Sequence, residues 1–300
     1  MGLTEPLSDG ISAGPMVAKL TDPLGVENGG SGLLGRTQAF RDRVKSENGI
    51  IEGSSLENLF DPILQAIKNF SGVGLSDLVF FGSGSAVDNN SGAIPTIFDA
   101  SGNENDAIQT TTAEQPTLDK NGIGGRWTAD FDGSDDWMYV SFSSTADART
   151  FFCVAEYDSL SHQPNPGLWG YQSSGRDWQQ FVSQNSEDLW AWLYQEDGTK
   201  ITFSDSNGPA LSANTPFHTV QRADGSSTAT QRQNGSQVES ISYDGTIRDL
   251  DHLMLGNQWS SFTDNDIWDG GIPLWVSLET HLSDAQVSEI EKIYTDYYSI

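Results

Sequence analysis

From about residue 85 onward the chain is built of short apolar stretches, each closed by turn residues, and that rhythm constrains the fold more than any other feature. The stretches read as strands at Thr150–Tyr157, Leu168–Tyr171, Trp178–Ser183, Leu189–Tyr194, Lys200–Ser204, Phe217–Arg222, Ser227–Gln233, Gln237–Tyr243, His252–Leu255 and Ile272–Leu278. β-Branched and aromatic side chains fit a pleated surface, while the Gly, Asn and Asp between them supply the backbone angles of turns. Asn234-Gly235 separates two of these strands and suits a two-residue hairpin. Strands this short and this numerous predict a sandwich, because each sheet must bury one face against a second layer.

The stretch 99–140 carries the most specific pattern. A turn-rich opening (Asp99, then Ser101-Gly102-Asn103) leads to Gln115-Pro116, Asn121-Gly122 and Gly124-Gly125. Two strands follow, Trp127–Phe131 and Trp137–Phe142, joined by Asp132-Gly133 as a tight hairpin turn. At the other end, Leu278–Leu282 runs into SDAQVSEIEKIYTDYY, which predicts a helix with Ser283 as N-cap and Gln286 completing a capping box. Val287, Ile290, Ile293 and Tyr297 form its inward stripe.

In this order and spacing the segments resemble the laminin-G-like jelly rolls of the concanavalin A-like lectin/glucanase superfamily. The resemblance covers roughly residues 85–300. It implies an all-β, concanavalin A-like jelly-roll sandwich with a C-terminal helix. It also implies a scaffold used mostly for binding, so that the question of catalysis turns on a few carboxylates.

Residues 1–84 match no named family. Residues 1–32 are punctuated by Gly and Pro without periodicity. Leu33 to Lys45 reads as a helix with Leu33, Thr37, Phe40 and Val44 on one stripe, stopped by Asn48-Gly49. Ser54 and Glu57 form a capping box for a second helix carrying Leu56, Leu59, Phe60, Ile63, Leu64, Ile67 and Phe70, which Asp61-Pro62 divides. Two short amphipathic helices bury little alone and need the jelly roll or neighbouring chains. Residues 1–80 carry ten acids and six bases, whereas 81–300 carry thirty-two acids and nine bases. The expectation is therefore two parts: an extended and helical attachment or oligomerisation region (1–84) and the jelly roll (85–300). The attachment face would be Phe40, Val44, Leu59, Phe60, Ile63 and Ile67.

The net charge of −27 repels nucleic acid and anionic membranes. Its acids are spread along the chain, as on a surface kept soluble in very high salt. No apolar run approaches the length of a membrane span, and MGLTEPLSDG lacks the basic and apolar regions of a secretory leader. Cys153, the single cysteine, sits in an apolar run and reads as a small core residue.

Tests for catalysis find little. The superfamily's glycosidases carry Glu-x-Asp-x-x-Glu on one strand, and Glu156-Tyr157-Asp158 lacks the second Glu. Gly-x-Ser-x-Gly and His-Glu-x-x-His are absent, and Gly82-Ser83-Gly84-Ser85 has no Lys to make a phosphate cradle. Hard oxygen ligands for Ca²⁺ crowd two places, Asp130, Asp132, Asp135 and Asp136 in one and Asp264, Asp266 and Asp269 in the other, with Asp132, Asp135, Asp136, Asp264 and Asp266 as the candidate ligands. The competing reading is a plain turn with solvated acids.

Aromatics form the other candidate site. In Leu189–Tyr194, alternation puts Trp190, Trp192 and Tyr194 on one face and Leu189, Ala191 and Leu193 on the other. Both faces are apolar, so one packs the sandwich and the other meets a second layer, a subunit or a sugar. Trp178, Trp259 and Trp268 sit among polar residues, as stacking platforms do, against the alternative that such rings are core. The glycan platform is read as Trp178, Trp190, Trp192 and Trp259.

The resulting expectation is a non-enzymatic surface protein of a halophilic virus particle, a capsid decoration, turret or tail-fibre tip. Residues 1–84 would join it to other virion proteins as a homo-oligomer, and the jelly roll would face host glycans. The alternative is a carbohydrate-binding module or adhesin at the cell surface of a halophile; a glycoside hydrolase ranks below both.

Overall fold

A computed structural model describes residues 31–300 except 54, 72, 74–77, 88–91, 160–165, 173–175, 183–187, 205–207 and 258–266. It contains three α-helices and seventeen strands among these residues. The first helix, α1 (Ser31–Ser46), ends where Asn48 turns left-handed at φ 59° and the Gly49 amide returns to the Val44 carbonyl at 2.7 Å. After β1 (Ile50–Ile51), a wide turn at Leu56–Phe60 runs into α2 (Asp61–Asn69), with Pro62 in its first turn. No side chain caps α2, and Asp61 is its first residue rather than its cap. Ser54, the expected capping residue, lies outside the described residues.

One sheet is centred on β17 (Asp269–Leu278). Along one edge β17 pairs antiparallel with β8 (Ala148–Tyr157), which leads outward to β13 (Phe217–Asp224), β14 (Thr228–Gln233) and β15 (Ser236–Ser242). Along its other edge it pairs first with β6 (Thr128–Asp132) and then with β2 (Leu78–Val87). β5 (Thr117–Asp119) extends the β6 side. Asn234 and Gly235 join β14 to β15 with φ of 48° and 79°, the angles a two-residue hairpin demands.

In the second sheet, β3 (Thr96–Asp99) and β4 (Ala107–Ile108) lead to β7 (Met138–Ser144), β16 (Leu250–Leu255) and β9 (Gly167–Gln172). From there it continues through β10 (Arg176–Val182), β11 (Leu189–Tyr194) and β12 (Lys200–Ser204). β2 and β3 pair across one edge and join the sheets. The expected all-β sandwich with a C-terminal helix is the fold observed.

The expected hairpin across Asp132-Gly133 is not formed. β6 pairs with β5 and β17, whereas β7 pairs with β4 and β16. Residues 132–137 therefore cross from one sheet to the other, a non-local pairing that the local turn signal does not encode.

Alternation along the strands produces two cores. Phe151, Cys153 and Tyr157 of β8 and Trp275 of β17 point between the sheets, against Trp169, Leu193 and Leu253. Phe152 and Val154 of β8, with Leu274 and Val276 of β17, point the opposite way. Over them lies a helical layer made by α1, α2 and α3 (Asp284–Tyr298). The α3 capping box is present: the Gln286 amide donates to Ser283 Oγ, and the Ser283 amide to Gln286 Oε1 at 2.8 Å.

The layer corrects the expected division at residue 84. That boundary falls inside β2, and the helices before it close the second core. Phe40, Val44, Leu59, Phe60, Ile63 and Ile67 are all buried within this chain, so they do not form an exposed attachment face. Gly82 shows how close the packing is: a Cβ there would come 2.5 Å from the Phe60 ring. The Gly82–Ser85 run is thus part of a strand beneath a helix. Glu52 ties the layer together, accepting from the Tyr297 hydroxyl at 2.9 Å and the Trp127 amide at 3.3 Å, with Arg126 at 3.6 Å.

Charged groups bind α3 to the outer strands. Arg232 holds Glu291 through two hydrogen bonds at 2.9 and 3.3 Å, and Arg222 reaches Asp284 at 2.7 Å. The Tyr294 hydroxyl meets His218 Nδ1 at 2.9 Å. Burial and the Arg232 charge push His218 down to about 4, so it is neutral at physiological pH.

Candidate functional site

The outer face of the second sheet carries the aromatic cluster. β10 and β11 lie antiparallel with Gln179 opposite Trp192 and Phe181 opposite Trp190. Cross-strand partners share a face, so these four side chains form one square. Leu189, Ala191 and Leu193 are buried between the sheets, while Trp190, Trp192 and Tyr194 are half-buried on the outside, as the alternation requires. Phe181 stacks at 6.4 Å from Trp190 and meets Trp192 edge-on at 4.8 Å. Lys200 places its ammonium 4.2 Å from the Trp192 ring, and Arg248 lies 5.5 Å from the ring of Tyr194.

Gln179 is 0% exposed, and neither its amide nitrogen nor its oxygen has a hydrogen-bond partner among the described residues. The neighbouring Trp190 Nε1 is likewise buried and unpartnered. Each such group costs about 1–3 kcal/mol of desolvation that a partner would offset. Its chain neighbour shows the contrast: Gln180, facing inward, accepts from Trp169 Nε1 at 2.9 Å and donates to Thr219 at 2.9 Å.

Trp178 does not join the platform. It is 0% exposed and packs edge-on at 4.6 Å from Phe151, its indole donating to Gln221. Its parity on β10 is that of Gln180 and Val182, so it points between the sheets. Trp268 is core as well. Trp259, Asp264 and Asp266 lie outside the described residues.

A second cluster sits where the chain crosses between sheets. Asp132, Asp135 and Asp136 bring carboxylate oxygens within 4.8 Å of one another, with Gly133 left-handed at φ 71°. Asp132 Oδ1 accepts from the amides of Ser134 and Asp135, and the Asp132 amide donates to Asp136 Oδ2 at 3.0 Å. Burial, then the Asp132 charge, pushes Asp136 up to about 7, and burial with Asp132 also raises Asp135. Oxygen donors under mutual repulsion fit a hard cation such as Ca²⁺, which supplies the missing positive charge.

A third arrangement was not visible in the sequence. Asp130 of β6 and Glu156 of β8 both lie opposite Gly271 of β17, one on each side. Two strand spacings set their Cα atoms about 10 Å apart. Burial, then Asp158 and other nearby carboxylates, raises Asp130 to about 6, and burial with Asp158 raises Glu156. Like Gln179, this pair depends on strand partners that are distant in sequence, and only Glu156-Tyr157-Asp158 hinted at it.

Comparison with known proteins agrees with this architecture. No family model and no curated protein matches the chain. Among solved structures it is similar to the binding domain of Paraclostridial Mosquitocidal Protein 1. That match has a TM-score of 0.56 and 16% identity, covering 75% of this chain and 53% of the other. The receptor-binding domain of botulinum neurotoxin D is also similar, with a TM-score of 0.52 and 13% identity over 73% of this chain and 53% of that one. The match thus spans about half the length of each of these two structures, and the likeness is one of fold.

Proposed function

We propose that this chain is a non-enzymatic glycan-binding module that takes its ligand on the outer face of β10–β12. The observation behind the reading is the set Trp190, Trp192 and Tyr194, held half-exposed at alternate positions beside Phe181. The buried residues of all three helices belong to the other outer face, where they cover the first sheet. Rings with an apolar body and a polar edge suit a sugar, which offers C–H faces and hydroxyls together. The two structures named above are a binding domain and a receptor-binding domain, which supports the reading. A surface of charge −27 fits display in high salt, at a cell surface or on a virus particle. The test is a glycan array in molar salt with wild type and the Trp190→Ala/Trp192→Ala double variant. A glycan bound by the first and lost by the second is expected; wild type binding none sinks the proposal.

A hydrolase reading has one observation in its favour, the Asp130 and Glu156 pair. The two flank Gly271 on the same sheet face, and a carboxyl near 6 suits a general acid. Release of reducing ends from a polysaccharide panel, lost in Asp130→Asn, would establish it over the binding module.

A further inference from the structure

We infer that Gln179 and the Trp190 indole form a subsite beneath the aromatic face that reads two neighbouring hydroxyls of a neutral hexopyranose. The inference rests on the glycan reading above and names the ligand class for that same face. The Gln179 amide brings two N–H donors and an acceptor oxygen, and Trp190 Nε1 brings one donor, all of them buried and without partners among the described residues. Whichever way the amide is turned, donor and acceptor are both unmet. A sulfate, phosphate or carboxylate only accepts, and would set its charge against the amide oxygen. Hydroxyls donate and accept, so a pair of them satisfies the whole set.

The surrounding square fits one sugar ring. Opposite Cα atoms across β10 and β11 lie about 5 Å apart, and successive outward positions about 7 Å apart. Trp190 and Trp192, half-buried and backed by the buried Phe181, offer apolar surface to the ring's C–H face. Gln179 is enclosed in the unbound chain, so a side chain must move to admit the ligand. Trp192 stands directly across from it, half-buried, with the exposed Lys200 against its ring. The proposal assigns that movement to Trp192, with the new hydroxyl bonds offsetting the loss of its contact with Lys200.

The test uses the full chain, labelled with ¹⁵N, in molar salt. Methyl glucopyranoside, galactopyranoside and mannopyranoside are titrated against the Gln179 side-chain amide and Trp190 indole resonances. At least one sugar should shift both signals together, and Gln179→Leu should weaken that sugar about tenfold or more, the equivalent of one lost hydrogen bond. The deoxy sugar lacking one hydroxyl of the pair should lose a similar factor with wild type and little with Gln179→Leu. A retained melting temperature in Gln179→Leu shows that the variant is folded. Undiminished binding by Gln179→Leu, with binding lost in Trp190→Ala, overturns the subsite but leaves the aromatic platform standing. Binding that survives all these changes places the sugar elsewhere and overturns both. Tighter binding of methyl glucuronate than of methyl glucoside overturns the neutral ligand class. Binding of no pyranoside overturns the subsite together with the function it rests on.

Discussion

On the first sheet, Phe152, Val154, Leu274 and Val276 point outward into Leu59, Phe60, Ile63 and Tyr294 of the helical layer. On the second sheet, Trp190, Trp192 and Tyr194 point outward half-buried beside the buried Phe181, and none of the helices of the described residues packs its buried side chains there. Both faces are apolar, but their residues differ in kind. Aliphatic and Phe side chains on the first give a surface that only burial satisfies. The Trp and Tyr rings on the second carry polar edges that tolerate water and engage a polar ligand. On the proposed reading, the difference separates a face that belongs to folding from one used for recognition, although both are written in strands of similar apolar content.

The sharpest way to break this contrast is to remove the helices. Deleting residues 1–70 should yield an insoluble or molten chain, because it uncovers the second core and removes the β1 partner of β2. Far- and near-UV circular dichroism with light scattering decide it. A soluble monomer with native near-UV signal would show that the helical layer is an appendage after all. Point changes should follow the same division. Phe60→Ala, at a 1% exposed ring, is expected to cost about 3–5 kcal/mol in urea unfolding. Trp192→Ala, on the half-open face, should cost about 1 kcal/mol while abolishing sugar binding. Equal losses at the two sites would erase the distinction.

The charged seam between α3 and the first sheet sharpens the comparison further. Arg232→Met leaves Glu291 buried without its partner and should destabilise by about 3–5 kcal/mol. Arg232→Met with Glu291→Leu should recover most of that loss, since an apolar pair of similar size satisfies the same space. Failure of the double variant to recover would mean that the ion pair sets the position of α3 rather than merely filling it.

These contrasts show what was legible in the sequence. Strand positions, the α3 capping box and the parity of Leu189–Tyr194 were all encoded locally, by turn residues and period-two alternation. The apolar stripe of Phe40, Leu59, Phe60 and Ile63 was legible too, but its partner was not. An amphipathic helix does not announce whether its own sheet or another molecule will cover it. Trp178 failed as a platform for a related reason. Polar neighbours surrounded it in sequence, yet Gln221, its hydrogen-bond partner, stands 43 residues away on β13. The Asp132-Gly133 turn looked local and turned out to be a crossover, because pairing partners are chosen by the whole sheet.

That crossover supplies a small effect and the most direct test of the cation reading. An Asp in the unfolded chain titrates near its ordinary value of 3.8, whereas Asp136 in the fold holds its proton to about 7. Between those values the folded chain binds the extra proton, so stability falls as pH rises, and the full penalty stands above pH 7. Asp136→Asn removes the charge and keeps an oxygen for the Asp132 amide. It should gain about 1–2 kcal/mol at pH 8 after allowance for solvent screening, and nothing below pH 4. Calcium should raise the wild-type melting temperature at pH 8 and raise the variant's less, because the ion and the substitution relieve the same repulsion. A gain that is equal at pH 4 and pH 8 would locate its cause in packing rather than charge. Identical calcium responses in the two proteins would remove the cation from this turn and leave Asp132, Asp135 and Asp136 as part of the acidic surface.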